Sequence, residues 1–136
     1  MESVFQVRTV GYVRSPIRDR DGAPRQGRDA GLEVSVEILP DYAQCIQGLE
    51  GWDLVQVICF MHLASRDARM VHPRGDPANP LTGVFGTRSP ARPNPLAVYT
   101  SELLGVDGLT LRLRGIDAVD GTPVLDIKPH VRRLDD

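Results

Sequence analysis

The sequence predicts a mostly β domain, a small antiparallel barrel with one or two short helices and long functional loops. Three observations lead there. Period-two runs dominate the chain, two Asp-Gly pairs sit between strand-like stretches, and only one stretch carries helix start and stop signals.

From Arg18 to Gly31 the chain reads RDRDGAPRQGRDAG, a polar and glycine-rich surface loop. LEVSVEIL, Leu32 to Leu39, alternates apolar and polar residues as a half-buried strand does. Asp41 is placed to cap YAQCIQGL and Gly48 to stop it, which predicts a short helix. DLVQVICFMHL, Asp53 to Leu63, is rich in β-branched and large apolar residues and predicts a more buried strand. A second long loop, ASRDARMVHPRGDPANPLTG, follows; connections of that length usually carry function or motion. Near the end, AVYTSELLGVDGLTLRLRGIDAVDGTPVLDIKP holds the pairs Asp107-Gly108 and Asp120-Gly121, which predict a meander of three strands.

With 136 residues, 41% hydrophobic and 25% charged, the chain has the size and makeup of one globular domain, residues 1–136. No apolar run approaches the roughly 20 residues of a membrane-spanning helix. MESVFQVRTV lacks the basic-then-apolar pattern of a secretory signal. Cys45 and Cys59 are too few for a disulfide framework and lie among apolar neighbours, so both are expected to be reduced core residues in a cytoplasmic protein. The net charge of −2 argues against a protein that coats nucleic acid over its whole surface. Of the 16 basic residues only Lys128 is lysine, and the arginine fork suits phosphate, carboxylate and base stacking. A GC-rich genome would favour arginine equally, so composition leaves nucleic acid open.

Glycine-rich dinucleotide fingerprints, Walker-type phosphate loops and nucleophile elbows are missing. Cys59-x-x-His62 on a strand would project its side chains to opposite faces, and no metal site is expected. His62 stands where the apolar VICFMHL run gives way to a polar loop, a common place for a functional side chain. A strand-end histidine without a chemical role fits that position as well. His72 and His130 are expected at the surface.

The segment GVFGTRSPARPNPLA is the most distinctive stretch. Ser89, Arg92 and Asn94 each precede a proline and are pushed toward extended backbone, while Pro90, Pro93 and Pro95 fix their own φ. Such a loop loses little entropy on ordering and presents Arg88, Arg92 and Asn94 in set positions, suited to carboxylates, phosphates or base edges. A purely structural crossover with solvated arginines is the alternative. The triplet Arg88-Ser89-Pro90 also echoes Arg14-Ser15-Pro16. In DAVDGTPVLDIKP, Asx-turn chemistry accounts for Asp120-Gly121, whereas Asp126, between Leu125 and Ile127, must face water, an arginine or a ligand amine.

The ordered stretches GYVRSP, PRQ, GLEGWDLVQVICFMH, HPRGDP, GVFGTRSPARPNPLA and DAVDGTPVLDIKP resemble the TsaA-like family of class VIII S-adenosylmethionine (SAM)-dependent methyltransferases. The resemblance covers nearly the whole chain. It implies a β-barrel homodimer that binds SAM without a Rossmann fold and methylates N6 of threonylcarbamoyladenosine in tRNA. Carried over by motif, cofactor contacts fall on Pro24, Arg25, Gln26, His62, Leu63, Arg88, Val98, Asp117, Asp120, Gly121 and Thr122. Arg92, Asn94, Asp126 and Lys128 would complete the pocket toward the substrate, and His62, Asn94 and Asp120 are the candidate catalytic residues. Two departures bear on the substrate. Leu96-Ala97-Val98-Tyr99 stands where the family usually has Ile-Gly-Leu-Ser, and the chain ends at Asp136 without the extra C-terminal domain of many bacterial members. A small-molecule acceptor, or a SAM-binding module without catalysis, is the alternative expectation.

Overall fold

The computed structural model describes residues 2–18 and 31–136. In chain order the strands are β1 (Gly11–Arg14), β2 (Glu33–Ile38), β3 (Leu54–Phe60), β4 (Met70–Val71), β5 (Thr82–Gly83), β6 (Leu96–Asp107), β7 (Thr110–Arg114) and β8 (Pro123–Pro129). Six close into an antiparallel barrel in the spatial order β1-β2-β7-β6-β3-β8, while β4 and β5 pair as a separate two-stranded sheet.

The period-two pattern explains the interior. Val34, Val36 and Ile38 of β2, Val55, Val57 and Cys59 of β3, and Leu111 and Leu113 of β7 are buried, with the intervening residues turned outward. Val13, Ile46, Val124, Ile116 and Ala118 complete the core. Each such aliphatic side chain contributes about 1.5–3 kcal/mol on burial. At Gly11 the strands come too close for any side chain: a Cβ would sit 2.5 Å from the Glu37 carbonyl oxygen.

The first Asp-Gly pair makes the expected hairpin, with Gly108 at φ 60 and Asp107 opposite Thr110. The second does not. β8 pairs with β1 and β3 rather than β7, so the chain from β7 crosses the end of the barrel and the three strands are no simple meander. The expected helix is a 3-10 segment, Pro40–Ile46, in which Pro40 supplies the first helical position and Asp41 forms no cap. Its 3-10 winding presents its faces differently from an α-helix and leaves Cys45 exposed instead of in the core; only Cys59 is buried. Gly48 follows in the left-handed region at φ 85. Among the described residues the one α-helix is Arg132–Asp135. His130 is not a surface residue: its side chain is 8% exposed, with Nε2 2.6 Å from Asp136 Oδ1. Most of the loop expected over Arg18–Gly31 lies outside the described residues.

Candidate active site

Antiparallel pairing brings the chain connections that carry the motifs to one end of the barrel. β3 and β7 finish there, β6 begins there, and the segments after β1 and before β8 meet there. The first Arg-Ser-Pro triplet is stitched to the Asp120-Gly121 turn at this end. Asp120 N–H donates to the Ile17 carbonyl (2.7 Å), Gly121 N–H to Val13 (2.8 Å), and Val13 N–H to Thr122 (2.9 Å). Ser15 N–H donates to Asp120 Oδ1 at 3.0 Å, and Arg18 Nη1 to Oδ2 at 2.9 Å. Gly121 adopts φ 84, which a side chain would resist.

A shallow, open cleft lies beside this turn, lined by Met61, His62, Leu63, Ala64, Pro90, Val119 and Thr122. Three separate sequence motifs therefore share one wall: the end of β3, the proline loop and the DGTP turn. His62 is exposed, and among the described residues its ring makes no hydrogen bond, so it faces the cleft uncommitted. Thr122 is buried and its hydroxyl donates to the Val119 carbonyl at 2.6 Å, holding the turn rather than reaching outward.

Asp117 lies on the same crossing, where Tyr99 donates its hydroxyl to the carboxylate. Burial, followed by the nearby Asp117 charge and that hydrogen bond, raises the Tyr99 phenol above its ordinary range. Burial alone pushes the neighbouring Cys59 thiol up to about 12. Both groups stay protonated at neutral pH and form a dry floor beneath the crossing.

The proline loop is held by two arginines. Arg92 turns its fork inward: Nη2 donates to the carbonyls of Val84 (2.6 Å) and Thr87 (3.2 Å), and Nη1 to those of Ser89 (3.1 Å) and Thr87 (3.3 Å). Arg66, which the sequence reading missed, grips the loop from outside. Its Nε donates to the Pro93 carbonyl (3.0 Å), its Nη2 to Asn94 Oδ1 (3.1 Å), and its guanidinium lies 5.7 Å from the Phe60 ring centroid. With Oδ1 occupied, Asn94 has its amide Nδ2 left to donate.

The remaining expected residues form a second group on the outer wall. Val98 and Asp126 both pair with Ile58, and Lys128 Nζ lies 3.1 Å from Asp126 Oδ2. Arg88 is exposed, and its Nη2 reaches the Val98 carbonyl at 3.5 Å. The two groups are not brought into one pocket by a single chain. Pro24, Arg25 and Gln26 lie outside the described residues. Among the described residues, no three His, Cys, Asp or Glu side chains gather as metal ligands.

SAM fits this donor set. Met61, Leu63, Pro90 and Val119 offer apolar surface for an adenine and a thioether, and the His62 ring and the Asn94 amide Nδ2 supply polar groups without partners among the described residues.

Comparison with known proteins points to the same cofactor. The chain is 45% identical over 131 residues to a probable S-adenosyl-L-methionine-binding protein of Methanothermobacter thermautotrophicus, covering 96% of this chain and 93% of that one. It is 37% identical over 134 residues to the tRNA (adenine(37)-N6)-methyltransferase of Homo sapiens, covering 93% of this chain but 30% of the human protein. The crystal structure of TrmO from Pseudomonas aeruginosa superposes with a TM-score of 0.80 at 32% identity, over 98% of this chain and 59% of that one. The chain thus spans nearly all of some relatives and well under two thirds of others. Residues 12–136 match the family model of the tRNA-methyltransferase O N-terminal domain, and the chain belongs to that family.

Proposed function

We propose that this chain is a SAM-dependent methyltransferase whose acceptor is tRNA, at N6 of threonylcarbamoyladenosine at position 37. The convergence of the β3 end, the proline loop and the DGTP turn on one cleft carries this reading. Relatives named as SAM-binding proteins and a tRNA (adenine(37)-N6)-methyltransferase support it. SAM supplies an electrophilic methyl group; the acceptor nitrogen gains it and gives up its proton. The protein's task is chiefly to hold the acceptor in line.

His62, uncommitted at the cleft, is positioned to take that proton. Asn94 Nδ2 offers a donor to an acceptor carbonyl or carboxylate. Asp120, with both oxygens engaged, shapes the turn. Asp117, Gly121 and Thr122 build the same wall. Arg88, Val98, Asp126 and Lys128 join the site across a homodimer interface: Leu96 and Val98 stand 44% and 46% exposed on the outer wall, an apolar strip suited to a second copy. A tRNA acceptor places the enzyme in the cytoplasm.

Calorimetry with SAM and transfer of labelled methyl to bulk tRNA test the proposal together. Label is expected in tRNA from cells that make threonylcarbamoyladenosine and absent from tRNA of cells that do not. An enzyme that binds SAM but labels neither tRNA pool acts on another acceptor, and no heat with SAM removes the cofactor.

A further inference from the structure

The connection from β3 to β6, residues 61–95, is charged unlike the rest of the chain. It holds five arginines against two aspartates, an excess of three positive charges in a chain of net charge −2. On the barrel the cations are neutralised: Arg14 pairs with Glu37, Arg112 with Asp107, Arg114 with Glu102 and Lys128 with Asp126. Among the described residues, no arginine of the connection meets a carboxylate, and Arg69, Arg74 and Arg88 are exposed.

One of these arginines stands beside an exposed aromatic, and another lies at the far end of the same two-stranded sheet. Val84 N–H donates to the Arg69 carbonyl at 3.0 Å, which sets Arg69 beside the 3-10 turn Val84–Gly86. Phe85, in the middle of that turn, is 87% exposed. Arg74 sits between β4 and β5 at φ 61, followed by Gly75 at φ 67; two left-handed residues in succession make a sharp turn and project the Arg74 side chain outward. Pro90, five residues beyond Phe85, already lines the cleft.

Guanidinium groups without carboxylate partners on the same connection as an exposed ring match the chemistry of single-stranded RNA, whose phosphates take arginine and whose unpaired bases stack on aromatics. We infer that the β4–β5 hairpin and the turn at Phe85 form an RNA-binding surface that guides the acceptor loop to the cleft. Arg69 and Arg74 contact phosphates, and Phe85 stacks under an unpaired base. This inference rests on tRNA being the acceptor.

Filter binding of bulk tRNA across a salt series, with the full chain, tests it. Arg69→Gln with Arg74→Gln should weaken tRNA about tenfold or more at low salt and flatten the logarithmic salt slope by roughly 2. Phe85→Ala should weaken tRNA about five- to hundredfold with the salt slope unchanged. SAM affinity by calorimetry should stay at the wild-type value in both, which separates a lost RNA surface from a damaged fold. Wild-type tRNA affinity in both variants overturns the surface while leaving the acceptor standing. If Phe85→Ala instead turns a dimer into a monomer by light scattering and keeps tRNA affinity, the face joins two copies and the inference fails. A wild-type chain that binds no tRNA removes the proposed acceptor and this surface together.

Discussion

Replacing Arg92 by alanine separates a ligand contact from a structural staple. The motif places Arg92 toward the substrate, yet its guanidinium donates to three backbone carbonyls, those of Val84, Thr87 and Ser89, across 2.6–3.3 Å. A hydrogen bond from a charged donor is worth about 1.5–3 kcal/mol. The loop is only half-buried, so water recovers part of that on truncation, and a net loss of about 3 kcal/mol is expected for Arg92→Ala. At this chain length, between the size classes for which shifts are tabulated, that lowers the melting temperature by about 12 °C. Arg92→Lys keeps the charge, but its three donors diverge from a single nitrogen and cannot span the carbonyls that the planar fork reaches, so it should recover about a third of the loss. Thermal melts with and without SAM measure both variants. SAM affinity should fall with the stability, because Pro90 loses its frame. If Arg92→Ala melts like wild type and yet no longer turns over tRNA, the guanidinium faces the substrate and the staple does not exist.

Two further outcomes follow from the core. Cys59 is raised from 9.0 to about 12 and Tyr99 is raised above its ordinary 10, so the folded chain keeps protons that the unfolded chain releases. Stability should therefore be flat below pH 9 and fall above it, by about 1.4 kcal/mol per pH unit for Cys59 and by as much again once Tyr99 joins above about pH 10. Urea unfolding at pH 8 and 10.5 measures it; a flat profile overturns the buried pair, and Cys59→Ala should erase the first part of the fall. Gly11→Ala drives a Cβ to 2.5 Å from a strand carbonyl and should cost about 2 kcal/mol, whereas Gly105→Ala meets the movable end of Arg112 at 2.7 Å and should cost about 0.5 kcal/mol. Equal melting temperatures for the two variants would refute the close approach of β1 and β2.

What the sequence made visible was local. The alternation in β2, the apolar run of β3 and the Asp107-Gly108 hairpin follow from neighbours a few residues apart. β8 was misplaced because Asp-Gly specifies a turn but not the partner of the strand after it; that choice rests on contacts with β1 and β3, far away in the chain. β4 and β5, two residues each, are too short to show any period. Cys45 has apolar neighbours in sequence, but a 3-10 turn presents its faces differently from an α-helix and puts the thiol outside. At the site, His62 was legible as a strand-end residue. Asp120 was legible as a turn former, but its grip on Ser15 spans 105 residues. Nothing in the spelling of the chain links Arg66 to Asn94, 28 residues on.

The near-absence of lysine finds its physical reason in what these arginines do. The three donors of an ammonium diverge from one nitrogen and cannot spread over a plane as Arg92 does across the Val84, Thr87 and Ser89 carbonyls, nor can they lie flat against a ring while bonding a carbonyl and an amide, as Arg66 does. The planar fork turns a proline-rich loop, already poor in conformational freedom, into a frame with few ways to move. That frame is what sets Pro90 at the cleft and leaves Asn94 with its amide donor directed outward. Arg14, Arg112 and Arg114 neutralise barrel carboxylates, so the barrel wall offers anions little net attraction. Attraction is left to the connection at 61–95, next to the cleft. A chain of net charge −2 can therefore still draw a polyanion to one place, because the connection beside the cleft carries an excess of three positive charges.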